Sequence, residues 1–433
     1  MNGARSLESL SPLALTADDE RNGRIATLQA AAGTACGPVI NGNVPSGHFA
    51  GPCAHLVGQE ALAFAYGAGR EFLSSFAGWR PLLGRRFGAA VLNSDEPAHR
   101  VERQAWAPAF ASAALARSVA GMDRVIARRV RRWIAVTTID AYEAARELAF
   151  AIAATQGAGF RDDAATAELG RQFGEVLHGP REDEDIRNQH ERVKPLRDAI
   201  ERAVCEHIRR SRNEDRRDEP SLPALLLRKH PSLSDEELLA HINVLLVAGH
   251  ETTASLLGSA LLLIAKDPAW RERLAREAAS LPAKTDAAAL GRLSAFDAFV
   301  AETGRLYPPL VNAPRLALRG FDLSGIRVSA RTTVAIAIGA TNRLGYADSE
   351  VFRPERWLRA PDEGGAQAAA LFTFGHGQRR CLGMRFAQLA VKLALCRVLQ
   401  AAVPTGDATR WHHAGFWNAR PRGVLSVRMV SIM

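Results

Sequence analysis

"FGHGQRRCLG", residues 374–383, decides how the chain is read. It sets one cysteine, Cys381, in a loop of glycines and arginines just ahead of a stretch with helical spacing. Glycines at 375, 377 and 383 let the backbone turn tightly and come close to a large flat ligand. Loop N–H groups and the start of the following helix favour a negative sulfur, and Arg379, two residues before the cysteine, is placed to reach a carboxylate. Four roles stay open for the sulfur at this point: a disulfide partner, a nucleophile, a zinc ligand, or an axial ligand to haem iron.

The 433 residues are 47% hydrophobic and 23% charged, the balance of an ordinary globular protein with a large core. The cysteines, at 36, 53, 205, 381 and 396, are odd in number and none forms a CxxC pair, which argues against a disulfide framework and a structural zinc site. "MNGARSLESLSPLALTADDE" lacks a charged head followed by a long apolar stretch, so neither a signal peptide nor a membrane anchor is expected. The most apolar run, "ASLLGSALLLIA", follows His250 and Glu251 and falls short of the roughly 20 residues a span needs. The expectation is a cytoplasmic protein with no membrane association. A net charge of +9 comes mostly from arginines interleaved with acids, a salt-bridged surface rather than a nucleic-acid site. The densest basic run, "RVIARRVRRW", has helical spacing and reads as a solvated face able to receive an acidic protein partner.

Residues 1–50 are rich in Gly, Pro and Asn and read as an irregular N-terminal segment. From about residue 57 to about 310 the apolar spacing is helical, with breaks at "SDEPAH", "GAGFRDD", "RNEDRRDEPSLP" and "SLPAKTD". Neither an internal repeat nor a long linker divides the chain. "SLSDEELLAHINVLLVAGHETTASLLGSALLLIAKDP" opens on a capping box, Ser234 with Glu237, and stops at Asp267-Pro268. Its about 32 residues make a rod of roughly 48 Å, apolar nearly all round and therefore central. Residues 315–342 alternate in β-branched character between turn glycines and predict short strands and hairpins. A coil from 343 to 373, the cysteine loop, a helix from about 383 to 400 and a terminal hairpin, "GFWNARPRGVLSVRMV", complete the chain.

Chemistry-bearing residues interrupt this pattern. "AGHETT", residues 248–253, places glycine, histidine, an acid and two threonines inside a helix that should be buried. Glycine there costs about 1 kcal/mol against alanine, and threonine hydroxyls can bond back to the preceding turn. The stretch reads either as a solvated kink or as a pocket that feeds protons inward. Glu302 and Arg305 of "ETGR" share a helix face at i, i+3, an ordinary surface pair when taken alone. His99 and Arg103, four apart in "DEPAHRVERQAWAPAF", can grip one anion together or lie on the surface. For Cys381, the nearby His376 has no triad setting that would make the sulfur a nucleophile. A thiolate on the iron of a porphyrin bearing propionates accommodates the glycines, the loop amides and Arg379 together.

With these four motifs in order over residues 95–383, the sequence resembles a cytochrome P450 of the soluble bacterial type, and "FGHGQRRCLG" fits FxxGxRxCxG at every fixed place. The resemblance implies a mainly α fold with small β-sheets, a single haem-thiolate domain over residues 1–433, and haem b as cofactor. It makes Cys381 the metal ligand and sets His99, Arg103, Arg315 and Arg379 on the propionates. Thr373, Phe374, Gly375, Leu382, Gly383 and Ala387 are placed around the haem, with Ala248 and Gly249 opposite. Glu251 and Thr252 become the catalytic acid and alcohol that deliver protons to dioxygen. Glu302, Arg305 and Arg356 of "FRPERW" become a buried network holding the cysteine loop.

Substrate contacts are expected from the 79–92 loop, Leu245, Ala248, Leu310, Val311, Asn312, Phe416 and Trp417, mostly apolar, hence a hydrophobic small molecule such as a product of secondary metabolism. The resemblance implies a monomeric monooxygenase that inserts one atom of O2, with NAD(P)H-derived electrons from a ferredoxin and its reductase. These would dock on Arg380, Arg385 and the basic helix near Arg128 to Arg132. Oxidative coupling, desaturation, peroxide-driven oxidation and non-catalytic gas sensing are the alternatives. The chain departs from the family at Arg331, where a glycine is usual, and at Arg343-Leu344, where an Arg-Asp pair is usual.

Overall fold

A computed structural model describes residues 4–46, 50–83, 88–177, 186–213, 221–346, 348–358, 371–406 and 410–432. The elements that bear on the site are labelled here in chain order. They are α1 (Ile25–Cys36), β1 (Val39–Val44), β2 (Gly51–Leu56), α2 (Ala98–Trp106), α3 (Ser112–Val136), α4 (Ala141–Ile152), α5 (Asp235–Lys266), α6 (Ser294–Leu306), β3 (Asn312–Ala317), β4 (Thr333–Ala337), α7 (Met384–Ala401), β5 (Trp411–Ala414) and β6 (Arg420–Gly423).

The axis of the molecule is α5. Ser234 accepts from the Glu237 amide while the Glu237 carboxylate accepts from the Ser234 amide, and Asp235, Glu236 and Glu237 complement the helix dipole. The helix has the length and mean hydropathy of a membrane span, yet 72% of its most apolar window is buried inside the fold. Leu256, Leu257, Leu261 and Ile264 pack in one core with Met122 and Ile126 of α3, Ala145 and Leu148 of α4, Phe296 and Phe299 of α6, and Val391 and Leu395 of α7. Each of the larger of these buried side chains contributes about 1.5–3 kcal/mol. Helix α4 comes close where α5 carries a glycine: a Cβ on Gly258 would lie 3.2 Å from the Tyr142 Cα. Just past α4, Ala153–Gly157 form a π-turn, and a Cβ on Gly249 would meet the Ala153 Cβ at 3.2 Å.

The larger sheet runs in the order β1, β2, β4, β3 and the two-residue strand Leu73–Ser74. Strands β2 and β4 are parallel, with Ala54 opposite Val334, and β3 runs antiparallel to β4, with Arg315 opposite Val334. Burial on both faces gives β4 its continuous apolar run.

Two expectations are corrected. Residues 1–50 are not irregular: Ala17–Arg21 and α1 are helical and β1 is a sheet strand. Alanine supplies little contrast in the helix, and Gly42, Asn41 and Asn43 disguise the strand; it is the pairing of Asn41 with Ala54 that makes it one. The terminal segment is not one hairpin either. Strand β6 pairs back with β5, while Ser426–Ser431 joins a different sheet between Ala402–Thr405 and Thr138–Asp140. The breaks in "RNEDRRDEPSLP" lie largely outside the described residues.

Arg331 has φ 67°, a left-handed conformation held by its amide donating to the Ala317 carbonyl at 2.7 Å. Arg331→Gly should therefore raise stability by about 0.5–1 kcal/mol, relief of left-handed strain exceeding the added freedom of the unfolded chain. A guanidinium midpoint that stays or falls would show that the turn carries no strain.

Candidate active site

The cysteine loop is built from left-handed glycines, Gly375 at φ 72° and Gly377 at φ 57°. The Cys381 amide donates to the Phe374 carbonyl at 2.8 Å, and Gly375 to Phe372 at 2.8 Å, which places the sulfur just ahead of α7. Cys381 is surrounded by protein and yet accessible, because a cavity of about 730 Å³ runs up to it. Burial pushes its thiol up, against the Gly383 and Met384 amides and Arg103, which favour the thiolate. A Cβ on Gly383 would sit 3.8 Å from the Phe110 ring and 3.9 Å from the Cys381 Sγ, in space beside the sulfur that no protein atom fills.

His99 and Arg103 from α2, Arg315 from β3 and Arg379 from the loop line the same cavity. Arg315 donates to the Pro314 carbonyl at 2.7 Å, Arg379 to Ser94 at 2.8 Å, and the His99 Nδ1 pairs with the Glu96 Oε1 at 3.0 Å. Among the described residues no carboxylate forms a salt bridge with Arg103, Arg315 or Arg379. Burial, with Arg315 beside it, pushes Arg379 down to about 10, and burial lowers Arg103 and Arg315 too. Desolvated cations without an anion are unfavourable, so this end of the cavity is suited to receive negative charge.

Opposite lies α5. Ala248, Gly249, Glu251 and Thr252 line the cavity, and the Thr252 hydroxyl donates to the Ala248 carbonyl at 2.6 Å. This is the i−4 bond that bends helices. Glu251 is held from two other elements: the Tyr142 hydroxyl of α4 donates to its Oε2 at 2.5 Å, and the Arg420 Nη1 of β6 lies 3.9 Å from it. The Arg420 guanidinium also stands 5.7 Å over the Tyr142 ring. Burial and then the Glu251 charge push the Tyr142 phenol up, so it stays a donor. Burial lowers His250 to about 4, which leaves a neutral imidazole behind Glu251.

Away from the cavity, Glu302 and Arg305 are fully buried. The Glu302 carboxylate accepts from Arg305 at 2.8 and 2.9 Å, Arg356 at 3.0 Å, the Arg353 amide at 2.9 Å and the Trp357 indole at 2.8 Å. Burial alone would raise its carboxyl, but these donors outweigh it and hold the group low. Thr373 lines the cavity and also donates to the Gly304 carbonyl at 2.8 Å. Arg343 finds its acid in Glu350 at 2.9 Å, in place of the neighbour the family usually supplies.

Phe374, Gly375, Leu382, Gly383 and Ala387 reach the cavity, as do Leu245, Leu310, Phe416 and Trp417. Val311 and Asn312 do not: Val311 is buried with Leu15 and Ile25, and the Asn312 amide is turned to the Phe416 carbonyl. In a strand, the neighbours of an inward residue face away. The expected 79–92 loop begins inside the helix Ser75–Leu83; its residues 84–87 lie outside the described residues. The basic run is also reassigned. Arg128 and Arg129 share Asp162, and Arg132 nears Glu147 at 4.0 Å; they lie about 24–30 Å along α3 from Ser112, to which Arg385 donates. Tyr142 and Arg420 were not legible as site residues, because nothing local marks a tyrosine or an arginine that reaches Glu251 across the fold. Trp106 stood in a quoted motif and lines the cavity, its indole donating to the His241 Nδ1 at 3.0 Å.

A family model described as cytochrome P450 matches residues 183–401, and the chain belongs to that family. Cytochrome P450 3A13 of Mus musculus is 36% identical over 176 residues, 40% of this chain and 35% of the relative. Cytochrome P450 3A5 of Homo sapiens is 35% identical over 176 residues, again 40% and 35% of the two chains. The match thus spans about a third of the length of these curated relatives. Among solved structures, the retinoic acid-bound cyanobacterial CYP120A1 superposes with a TM-score of 0.80 at 24% identity, over 94% of each chain. The heme domain of cytochrome P450DA does so with 0.81 at 18%, over 98% of each. The fold is accordingly the mainly helical one, with small sheets, of these haem domains.

Glu302→Gln should cost about 3–5 kcal/mol, since it leaves buried guanidinium charge unmatched. The Glu302 carboxyl is held below its unfolded value, so the stabilisation is complete above about pH 4.3 and is lost as pH falls through the lower folded value. Denaturant unfolding of both proteins from pH 7 to 3 checks this: a gap that persists undiminished at pH 3 contradicts the assignment.

Proposed function

We propose that the chain is a haem-thiolate monooxygenase that inserts one atom of O2 into a small, largely apolar organic molecule. The observation that carries this reading is that Cys381, three arginines without a carboxylate partner among the described residues and the Ala248–Thr252 stretch of α5 all open into one cavity. The donor set fits haem b. Its propionates match Arg103, Arg315, Arg379 and His99; its metal matches the Cys381 sulfur, since a coordinating thiol loses its proton outright. The open space beside Gly383 suits a flat face, and Phe374, Gly375 and Ala387 flank it. Bound there, haem b would supply dioxygen activation, with electrons derived from NAD(P)H.

The chain's own residues do the rest. Trp79, Leu82, Trp106, Leu245, Leu310 and Phe416 form an apolar wall that holds the substrate and excludes bulk water. Thr252 carries a proton on Oγ1, parked on the Ala248 carbonyl and free to turn toward the cavity by one χ1 rotation. Glu251 is the carboxylate that replenishes it. Tyr142 and Arg420 hold the Glu251 Oε2 and so fix the orientation of the carboxylate that exchanges protons. The electrons are drawn from separate proteins, a ferredoxin and its reductase, and Arg380 and Arg385, exposed near Cys381, suit an acidic partner. We read the chain as a cytoplasmic monomer; the burial of α5 inside the fold fits a core helix rather than a membrane span.

The purified protein should bind haem and show a thiolate absorption spectrum that Cys381→Ser abolishes; failure to take up haem overturns the reading. Thr252→Ala should lower product formed per NADPH consumed about tenfold or more, with haem content unchanged. Tyr142→Phe should lower the same ratio about tenfold, since a hydrogen bond to a charged group is worth about 1.5 kcal/mol or more. Coupling equal to wild type in Tyr142→Phe removes the tyrosine from the mechanism.

A further inference from the structure

Behind the apolar wall runs a chain of buried polar side chains that the chemistry above does not use. Asn312 of β3, Gln29 of α1 and His55 of β2 are each fully buried. The Asn312 Nδ2 donates to the Phe416 carbonyl at 2.8 Å, the Gln29 Nε2 donates to the Asn312 Oδ1 at 3.0 Å, and it also meets the His55 Nδ1 at 2.7 Å. The direction of every bond is set by its far end. A backbone carbonyl can only accept, so Asn312 must present its amide nitrogen to Phe416 and its oxygen to Gln29, and Gln29 must then turn its nitrogen inward. Burial lowers His55 to about 4, so its neutral ring can accept at Nδ1.

The chain ends on the turn that forms one wall of the cavity. The Phe416 ring meets the His55 ring edge-on at 6.0 Å and the Trp417 ring at 4.7 Å. The same turn is pinned on other sides. The Glu20 Oε1 accepts from the Phe416 amide at 3.2 Å, Val311 donates to the Trp417 carbonyl at 2.9 Å, and Ala419 donates to Pro309 at 2.8 Å. Gly415 at φ 142° permits a tightness at which a Cβ would sit 2.0 Å from the Asn418 carbonyl oxygen. Apolar side chains of similar size would fill the same core at little or no loss of stability. A directional polar strut instead specifies where the wall stands.

We propose that Asn312, braced by Gln29 and His55, is a specificity-determining positioning residue: it sets the Phe416–Trp417 wall, so that these three side chains select ligand shape without lining the cavity. The inference rests on the reading of the cavity as the substrate site. Asn312→Leu and Gln29→Met are compared with wild type by amide exchange and by calorimetric titration with imidazole, which is too small to reach the wall, and with phenylimidazole, which is not. Asn312→Leu should speed exchange at the Phe416 and Ala419 amides by about tenfold or more while α5 amides keep their rates. It should also change the ratio of the two affinities about fivefold. Gln29→Met, which leaves the Asn312–Phe416 bond in place, should move both readouts the same way by less, and it carries the test if Asn312→Leu does not fold. Faster exchange with an unchanged ratio overturns the specificity role, and unchanged exchange overturns the strut. A wild-type protein that binds neither azole overturns the haem-thiolate reading and with it the substrate role of the wall, while the exchange rates still decide whether the strut holds the turn.

Discussion

Glu302 has no access to water, and its carboxylate is tolerable there because it accepts five hydrogen bonds from four residues, two of which, Arg305 and Arg356, donate through their guanidinium groups. Those donors come from α6 and from the segment around Arg353 to Trp357 that leads into the cysteine loop. Arg305 extends the junction by donating to the Ser349 and Val351 carbonyls at 2.7 and 3.1 Å. A chain with little regular structure is thereby held to a rigid helix by charge that cannot be left unmatched. Gly304, one residue from Arg305, must be small because a Cβ would come within 2.9 Å of Thr373, just before the loop. The position of the Cys381 sulfur follows from this clamp as much as from the loop's own glycines.

The cavity shows the same division between groups that are satisfied and groups that are not. Glu302 and Arg343 find partners inside the protein, and they build structure. Among the described residues Arg103, Arg315 and Arg379 form no salt bridge with a carboxylate, and burial lowers each of them. On the opposite side, α5 departs from ideal helix chemistry where it faces the sulfur: a glycine that lets Ala153 approach, and a threonine bonded back onto its own turn. Conflict between local propensity and the surrounding fold is concentrated where function is proposed.

Much of this was legible in linear order. The capping box of α5, its length, strands within residues 315–342 and the helix after Cys381 all rest on local chemistry, and local chemistry is what a sequence displays, though Ile338–Thr341 of that stretch is helical. The N-terminal elements were missed because α1 is alanine-rich and β1 carries Gly42 between two asparagines; their structure comes from partners about 15 residues and about 300 residues away. Asn312 illustrates the other limit. It lies in the right strand for a cavity residue, but the pleat turns it outward to Phe416 and Gln29. Tyr142 and Arg420 carry no local mark at all, and each becomes a site residue by reaching Glu251 across the fold.

By itself the sequence determined the family, the cysteine loop, the polar interruption of the long helix and the acid-base pairs, since each depends on residue type at short fixed spacing. The tertiary structure decided which arginines meet no carboxylate among the described residues, what holds Glu251, and which face of β3 meets the cavity. Those outcomes depend on pairings between segments separated by hundreds of residues, where burial removes water as the alternative partner and leaves each polar group to whatever the fold brings beside it.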